Sequence, residues 1–182
     1  MRRKRVTGLP EAARPPAQGA LALQRQHLGD QHPHVALSLC ELALIEARRG
    51  DAAAAEVAAR EALAVQQAAL LGPEHPDRAQ ALMAWGMARM AAGDPAGAEP
   101  ALREALAIGK KAVPPTHWPM AELNAALGEC LRAQGRPDEA GPLLEESYRT
   151  FKASFGENHP QTVAAQGRRA GARRDPLASH PP

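Results

Sequence analysis

Residues 72–113 read GPEHPDRAQALMAWGMARMAAGDPAGAEPALREALAIGKKAV. Two amphipathic helices are written here, separated by a Gly93-Asp94-Pro95 break. The chain copies this pattern on both sides. His32-Pro33, His75-Pro76 and His159-Pro160 mark the start of each copy, and a degraded junction holds His117, Trp118 and Pro119. The histidines are 43, 42 and 42 residues apart. A constant period of helix, turn, helix and loop marks a stacked repeat, because one such pair cannot bury its apolar face alone.

Other positions keep the same beat. Eleven residues after each histidine comes a small residue: Ala43, Gly86, Gly128 or Ala170. Glycine stops follow at Gly50, Gly93 and Gly135, then the helix openers Asp51, Asp94-Pro95 and Arg136-Pro137. Five residues past each stop sits Ala55, Ala98 or Ala140. Antiparallel helices pack about 8–10 Å apart, closest where the contact residues are small. The small residues are therefore expected in the seam between the first helix of a unit, A, and the second, B. Leu82, Trp85, Leu102 and Leu106 are expected to fill that seam in the middle unit.

The Gly-x-x-His-Pro junction, the small residue at Gly86, the run Ala98-Glu99-Pro100-Ala101-Leu102 and the run Glu104-Ala105-Leu106-Ala107-Ile108 carry a resemblance. The pattern resembles the tetratricopeptide repeat of the 42-residue variety found in kinesin light chains and many bacterial proteins. It covers residues 20–172. The fold it implies is all-α, an α-solenoid: a right-handed superhelix of antiparallel helix pairs whose helices A line a concave groove. The function it implies is the binding of a peptide or protein in that groove, as a regulatory or adaptor scaffold. Similar arrays occur in bacterial regulatory proteins, some of them attached to protein-kinase domains.

Residues 1–19, rich in Pro and Arg and without helical period, read as a disordered basic tail. A half repeat follows over 20–31, the end of a helix B without its helix A. Full repeats span about 32–74, 75–116 and 117–158, with a partial repeat over 159–172 and a second disordered tail over 173–182. The half repeat at the start suggests a longer parent array or dimerisation through that edge. Pro100 and Pro142 fall inside helices B and are expected to be tolerated kinks. In the last helix Gln166 and Arg169 replace the expected seam apolars, as in a polar solenoid cap.

Charge is unevenly spread. Residues 20–160 carry 13 Lys/Arg against 18 Asp/Glu, the first 19 residues five against one, and the last 22 four against one. The basic runs RRKR and RRAGARR raise the alternative of nucleic-acid or acidic-partner binding through the tails. Solvated tails are the preferred reading. No run of 18 apolar residues is present, so no membrane span is expected. Cys40 and Cys130 lie two units apart, against a disulfide and in favour of a reducing, cytoplasmic setting.

No catalytic, cofactor or metal site is read. The histidines sit on successive units and cannot converge to the roughly 2 Å that a zinc ion demands; beside proline they are expected to cap helix entries. Neither cysteine has a His/Asp arrangement near it, and no phosphate-cradling, zinc-protease or nucleophile-elbow motif occurs. The protein is therefore expected not to be an enzyme. Carried over by helical phase, the resemblance places the groove at Leu37, Cys40, Leu44 and Arg48 in the first unit. The second unit contributes Gln80, Met83, Met87 and Met90, and the third Glu122, Ala125, Glu129 and Arg132. The spacing of the three methionines fits a core as well as a groove stripe, and both readings stand. If exposed, their flexible thioethers favour adaptable binding of an apolar or helical peptide, with the helix A of residues 72–113 as the centre of the surface.

Overall fold

The computed structural model of the chain describes residues 9–69 and 72–172. Among the described residues there are eight α-helices and no strand: α1 (Leu9–Leu28), α2 (Pro33–Arg49), α3 (Ala52–Ala68), α4 (Pro76–Ala91), α5 (Pro95–Ala112), α6 (Trp118–Ala133), α7 (Pro137–Phe155) and α8 (Pro160–Ala172). In repeat order α2, α4, α6 and α8 are helices A, and α3, α5 and α7 are helices B. The chain divides into two compact units, Met1–Asp94 and Pro95–Pro182. The division falls at the Gly93-Asp94-Pro95 turn, inside the repeat expected over 75–116.

In the first unit each helix packs on the next, and α2 also touches α4 directly. The core is small-residue packing. Ala36, Ala43, Ala55, Ala59, Ala62, Ala81, Ala84 and Ala88 are fully buried beside Val35, Leu39 and Cys40. Leu42, Leu44, Leu63 and Trp85 close over it. The guanidinium groups of Arg60 and Arg89 lie over the Trp85 ring, 5.7 and 5.8 Å from its centroid.

In the second unit α5 packs on α6, α6 on α7 and α7 on α8. The seam between α6 and α7 shows why its small residues are needed. A Cβ on Gly128 would lie 2.8 Å from both Cγ and Cδ2 of Leu144 and 3.4 Å from the Ala140 carbonyl oxygen. Ala121, Phe151 and Ala165 join α6, α7 and α8, with Tyr148 against them. Ala170, at the small-residue phase of α8, is exposed, since no helix B follows it among the described residues.

The helix ends repeat as closely as the cores. Gly50, Gly93 and Gly135 adopt φ of 79°, 78° and 75°, the left-handed conformation that glycine enters without a Cβ penalty. Behind them Asp51 N–H donates to Glu46 O, Asp94 N–H to Arg89 O and Arg136 N–H to Leu131 O, each at 3.0 Å. These bonds satisfy carbonyls that the end of a helix leaves open. Asp51 Oδ1 then accepts from Ala54 N–H at 3.1 Å and caps α3. Pro100 and Pro142 sit inside α5 and α7 without ending them. Each is the sixth residue of its helix, close enough to the start that few backbone bonds are affected.

The N-terminus corrects the sequence reading. Residues 1–19 read as a disordered tail and 20–31 as half a helix, yet α1 runs for 20 residues from Leu9 with Pro15 and Pro16 inside it. A tertiary contact explains this. Arg14 Nε lies 2.7 Å from Oε1 of Glu46, a carboxylate with 3% of its side chain exposed, whose other oxygen is held by Arg49 Nη1 at 2.7 Å. The first half of α1 thus supplies a cation to a buried anion of α2, which outweighs the poor propensity of its prolines. Residues 1–8 and 173–182, including the rest of both expected tails, lie outside the described residues.

Candidate functional site

The faces to consider are those of helices A, whose first turns are set by the His-Pro junctions. His32 Nδ1 accepts from His34 N–H at 3.2 Å, His75 Nδ1 from Asp77 N–H at 3.2 Å and His159 Nδ1 from Gln161 N–H at 3.3 Å. The proline between has no N–H to offer and suits the first helical position. The degraded junction differs. His117 makes no side-chain cap bond, and Trp118 takes the first position of α6 with Pro119 after it. Trp118 instead lies 6.4 Å from the ring of Phe155, which stacks on His159 at 4.6 Å.

In the first unit the expected groove residues fall into two groups. Leu37 and Leu44 on α2 and Gln80, Met87 and Met90 on α4 are half-buried, and Arg48 is exposed. Cys40 and Met83 are buried, at 0% and 7% exposure, so their side chains serve helix packing and offer no surface. The core reading therefore holds for Met83. In the second unit Glu122 and Glu129 of α6 are half-buried and Arg132 is exposed, while Ala125 is buried in the same way. Glu129 is engaged by Arg168 of α8 at 3.1 Å.

The cysteines are unsuited to nucleophilic chemistry. Burial, then the Asp77 and Glu41 carboxylates, push the Cys40 thiol up to about 12. Burial also raises Cys130, whose S–H donates to the Pro95 carbonyl at 3.1 Å. Both are free thiols. Among the described residues no three His, Cys, Asp or Glu gather as a metal site. No described helix is long and apolar enough to cross a membrane.

Two charged clusters escaped the sequence reading. One is the buried Glu46 with Arg14 and Arg49; its signal was a glutamate seven residues after Leu39 on the apolar stripe of α2. The other ties the start of α5 to the α6–α7 turn. Arg136 grips Glu139 through both oxygens at 2.7 and 2.8 Å and reaches Glu99 at 2.7 Å, while Gln134 and Arg103 reach Glu99 at 2.9 and 2.7 Å. Burial works against ionisation of Glu99. The hydrogen bonds from Gln134, Arg136 and Arg103 outweigh it and bring its carboxyl down to about 2. Glu56, at the matching place in α3, pairs with Arg89 at 3.2 Å. The turn-side glutamate of a helix B is thus a tie point in both units.

The basic C-terminal run is also partly committed to packing. Arg168 holds Glu129, and Arg169 pairs with Glu145 at 3.4 Å while lying 4.1 Å over the Tyr148 ring. This accounts for an arginine at a seam phase, since its stem packs and its head finds a carboxylate. The RRKR run and Arg173 and Arg174 lie outside the described residues. A cleft of about 580 Å3 opens between α1, α2 and α3, floored by Leu21 and Leu39. Its charged walls are paired with each other, Arg14 with Glu46 and Arg25 with Glu61.

The tetratricopeptide repeat family matches the chain at residues 35–77 and again at 119–175. Two crystal structures of a Podosopora anserina kinesin-light-chain-like protein with nearly identical repeats, one of them a point variant, are similar to it. The variant is 27% identical with TM-score 0.63, covering 90% of this chain and 76% of that one. The other is 26% identical with TM-score 0.62, covering 90% and 77%. BtubC (BKLC) from P. vanneervenii shares the fold at 19% identity and TM-score 0.64, over 87% of this chain and 63% of its own. No curated protein matches the sequence. Paired helices closed by glycine stops, a 42-residue beat and these matches agree: the chain is an all-α solenoid protein of tetratricopeptide repeats, of the kinesin-light-chain-like type.

Proposed function

We propose that the protein is a binding scaffold that holds a peptide or protein partner against its helices A. The observation that carries this reading is on α2 and α4, which touch each other. Leu37, Leu44, Met87 and Met90 stay partly open there beside the exposed Arg48, in a unit whose core is otherwise closed by alanine. Leucine and methionine side chains next to a cation suit an apolar, helical peptide segment, and thioethers adapt to more than one sequence. In the second unit the same phases are charged, and Arg132 is the group proposed to meet the partner. The buried thiols fit a reducing, cytoplasmic setting, and no catalysis is proposed.

The test is a partner screen with three full-length chains: wild type, Met87→Glu with Met90→Glu, and Val57→Glu. Val57 is 67% exposed on the helix B α3 and serves as the control. Partners that survive V57E and are lost with the methionine pair support the reading. A partner set untouched by the methionine changes removes the A-helix face from it. Nucleic-acid binding through the tails gains no support from α8, where Arg168 and Arg169 are held by Glu129 and Glu145. Pairing of two copies through α1 would use Leu23 and Leu28, which are 58% and 46% exposed. Light scattering of L23E/L28E against wild type decides it, equal monomer masses for both ending the idea.

A further inference from the structure

The first unit has a second apolar surface, on the side of α2 turned away from the helix-A groove. Successive helical residues rotate by about 100°. Leu37, Leu44 and Arg48 therefore share one face of α2, and Leu39, Leu42 and Glu46 share the opposite one. α1 and α3 both pack on α2, and between them runs a furrow of about 580 Å3, open along its length. Leu21 and Leu39 floor it, with half-buried Leu42 beside them. The apolar side chains of the α3 wall are Ala53, Ala54, Val57 and Ala58, all too short to close it. Val57 is 67% exposed, the most open of the large apolar side chains among the described residues.

Charge marks the two ends differently. Arg14 and Arg25 stand eleven residues apart on the α1 wall, about 16 Å at the helical rise. At the first end Arg14 leans on Glu46, but that carboxylate also takes Arg49, and the Arg14 side chain stays 39% open. The sequence ahead of it, residues 1–13, holds Arg2, Arg3, Lys4 and Arg5 against a single acid, Glu11. At the second end two carboxylates serve one guanidinium. Arg25 lies 3.6 Å from Asp30 and pairs with Glu61, and those two acidic side chains are 75% and 45% open. The furrow thus offers a cation at one end, an apolar bed about three turns long, and an excess of carboxylate at the other. A straight furrow walled by two helices receives apolar residues that line one face of a third. We propose that it docks an amphipathic helix of a partner protein, with apolar residues three and four apart and an acid and a base about eleven residues apart. A helix of uniform charge meets repulsion at one end. The site does not depend on the helix-A groove, since opposite faces of α2 carry the two, and either can fail alone.

The test uses the full chain and three lactam-stapled, fluorescein-labelled helical peptides with the same leucine stripe. One has Glu at its first end and Lys at its last, one has Glu at both ends, and one has Lys at both. Fluorescence anisotropy should show the bipolar peptide binding about threefold tighter than either uniform one. Val57→Glu, at an exposed position that leaves the core intact, should weaken it about tenfold. Met87→Glu with Met90→Glu should leave it unchanged. Asp30→Lys removes the excess carboxylate, and the preference should pass to the peptide with Glu at both ends. No binding, equal affinity for the three peptides, binding unmoved by V57E, or loss with the methionine pair overturns the proposal. Light scattering covers the rival occupant: a wild-type mass of two copies that V57E halves puts a second copy of this chain in the furrow and refutes the partner helix.

Discussion

Replacing Gly128 by alanine adds one methyl group at a close approach between α6 and α7. That carbon would stand 2.8 Å from two carbons of Leu144, one of them the branch point of the side chain. Leu144 is 1% exposed, so it cannot swing out into solvent without leaving the core. Either Leu144 leaves its rotamer or the two helices part, and overpacking of this kind costs about 1–3 kcal/mol. The alanine also removes a glycine from a helix interior, which returns about 1 kcal/mol. The net expectation is a loss of about 1 kcal/mol. Gly141 on α7 provides the matched control, because a Cβ there meets nothing within 4 Å. The same change at Gly141 should therefore stabilise by about 1 kcal/mol. The two variants should differ by about 2 kcal/mol, or about 4–8 °C in melting temperature for a chain of this size. Circular dichroism melts of both proteins read the difference. If Gly128→Ala is as stable as Gly141→Ala, close approach is not what the small residue provides, and the account of the seam fails.

Glu99 sets an acid limit on the second unit. Its carboxyl is lowered from 4.5 to about 2, so its contribution is present above pH 4.5 and lost as pH falls toward 2. At about 1.4 kcal/mol per unit the shift corresponds to roughly 3 kcal/mol. With 16% of the side chain open to water, screening leaves about 1–2 kcal/mol. Glu99→Gln should flatten the acid-unfolding curve between pH 4.5 and 2, and an unchanged curve would show that the cluster stores no such energy. Arg14→Met leaves Glu46 with Arg49 alone and should cost about 1–2 kcal/mol, less than a fully broken buried pair because one partner remains. Urea unfolding tests it, and no loss would detach the first half of α1 from the fold. Arg169→Ala removes the cation over Tyr148 and the pair with Glu145, worth about 1 kcal/mol together. Amide exchange in α8 should quicken roughly fivefold, with α6 amides unmoved; equal rates in both proteins would make Arg169 a bystander.

Local chemistry carried most of the fold. His-Pro entries, glycine exits and the alanines five residues beyond depend on backbone geometry within a few residues, so a sequence states them openly. The helix at Leu9–Leu28 was hidden because Pro15 and Pro16 argue against it locally, while its reward, a buried glutamate, lies 32 residues away at Glu46. Groove positions were only partly legible for a related reason. A helix A such as α2 is packed by α1, α3 and α4, so apolar phases point in several directions. Phase alone cannot tell that Cys40 and Met83 turn inward while Leu44 and Met87 stay half open. Arg168 and Arg169 read as a free basic run because the carboxylates that neutralise them, Glu129 and Glu145, belong to other helices.

The alanine core of the first unit has a consequence for how this chain can change. Nine of the fourteen buried residues in that cluster are alanine. Alanine has no rotamers to freeze, so closing the core carries no side-chain entropy penalty at those positions. By the same token there is no rotamer to swing aside when a neighbour grows. The distance between helices is fixed by single methyl groups. A larger residue at Ala55 or Ala59 must move a whole helix, whereas substitutions at long, flexible side chains are absorbed where they occur. Tolerance to mutation in this unit should therefore be one-sided, forgiving at the leucines and methionines of the periphery and closed to any increase in volume along the alanine seam.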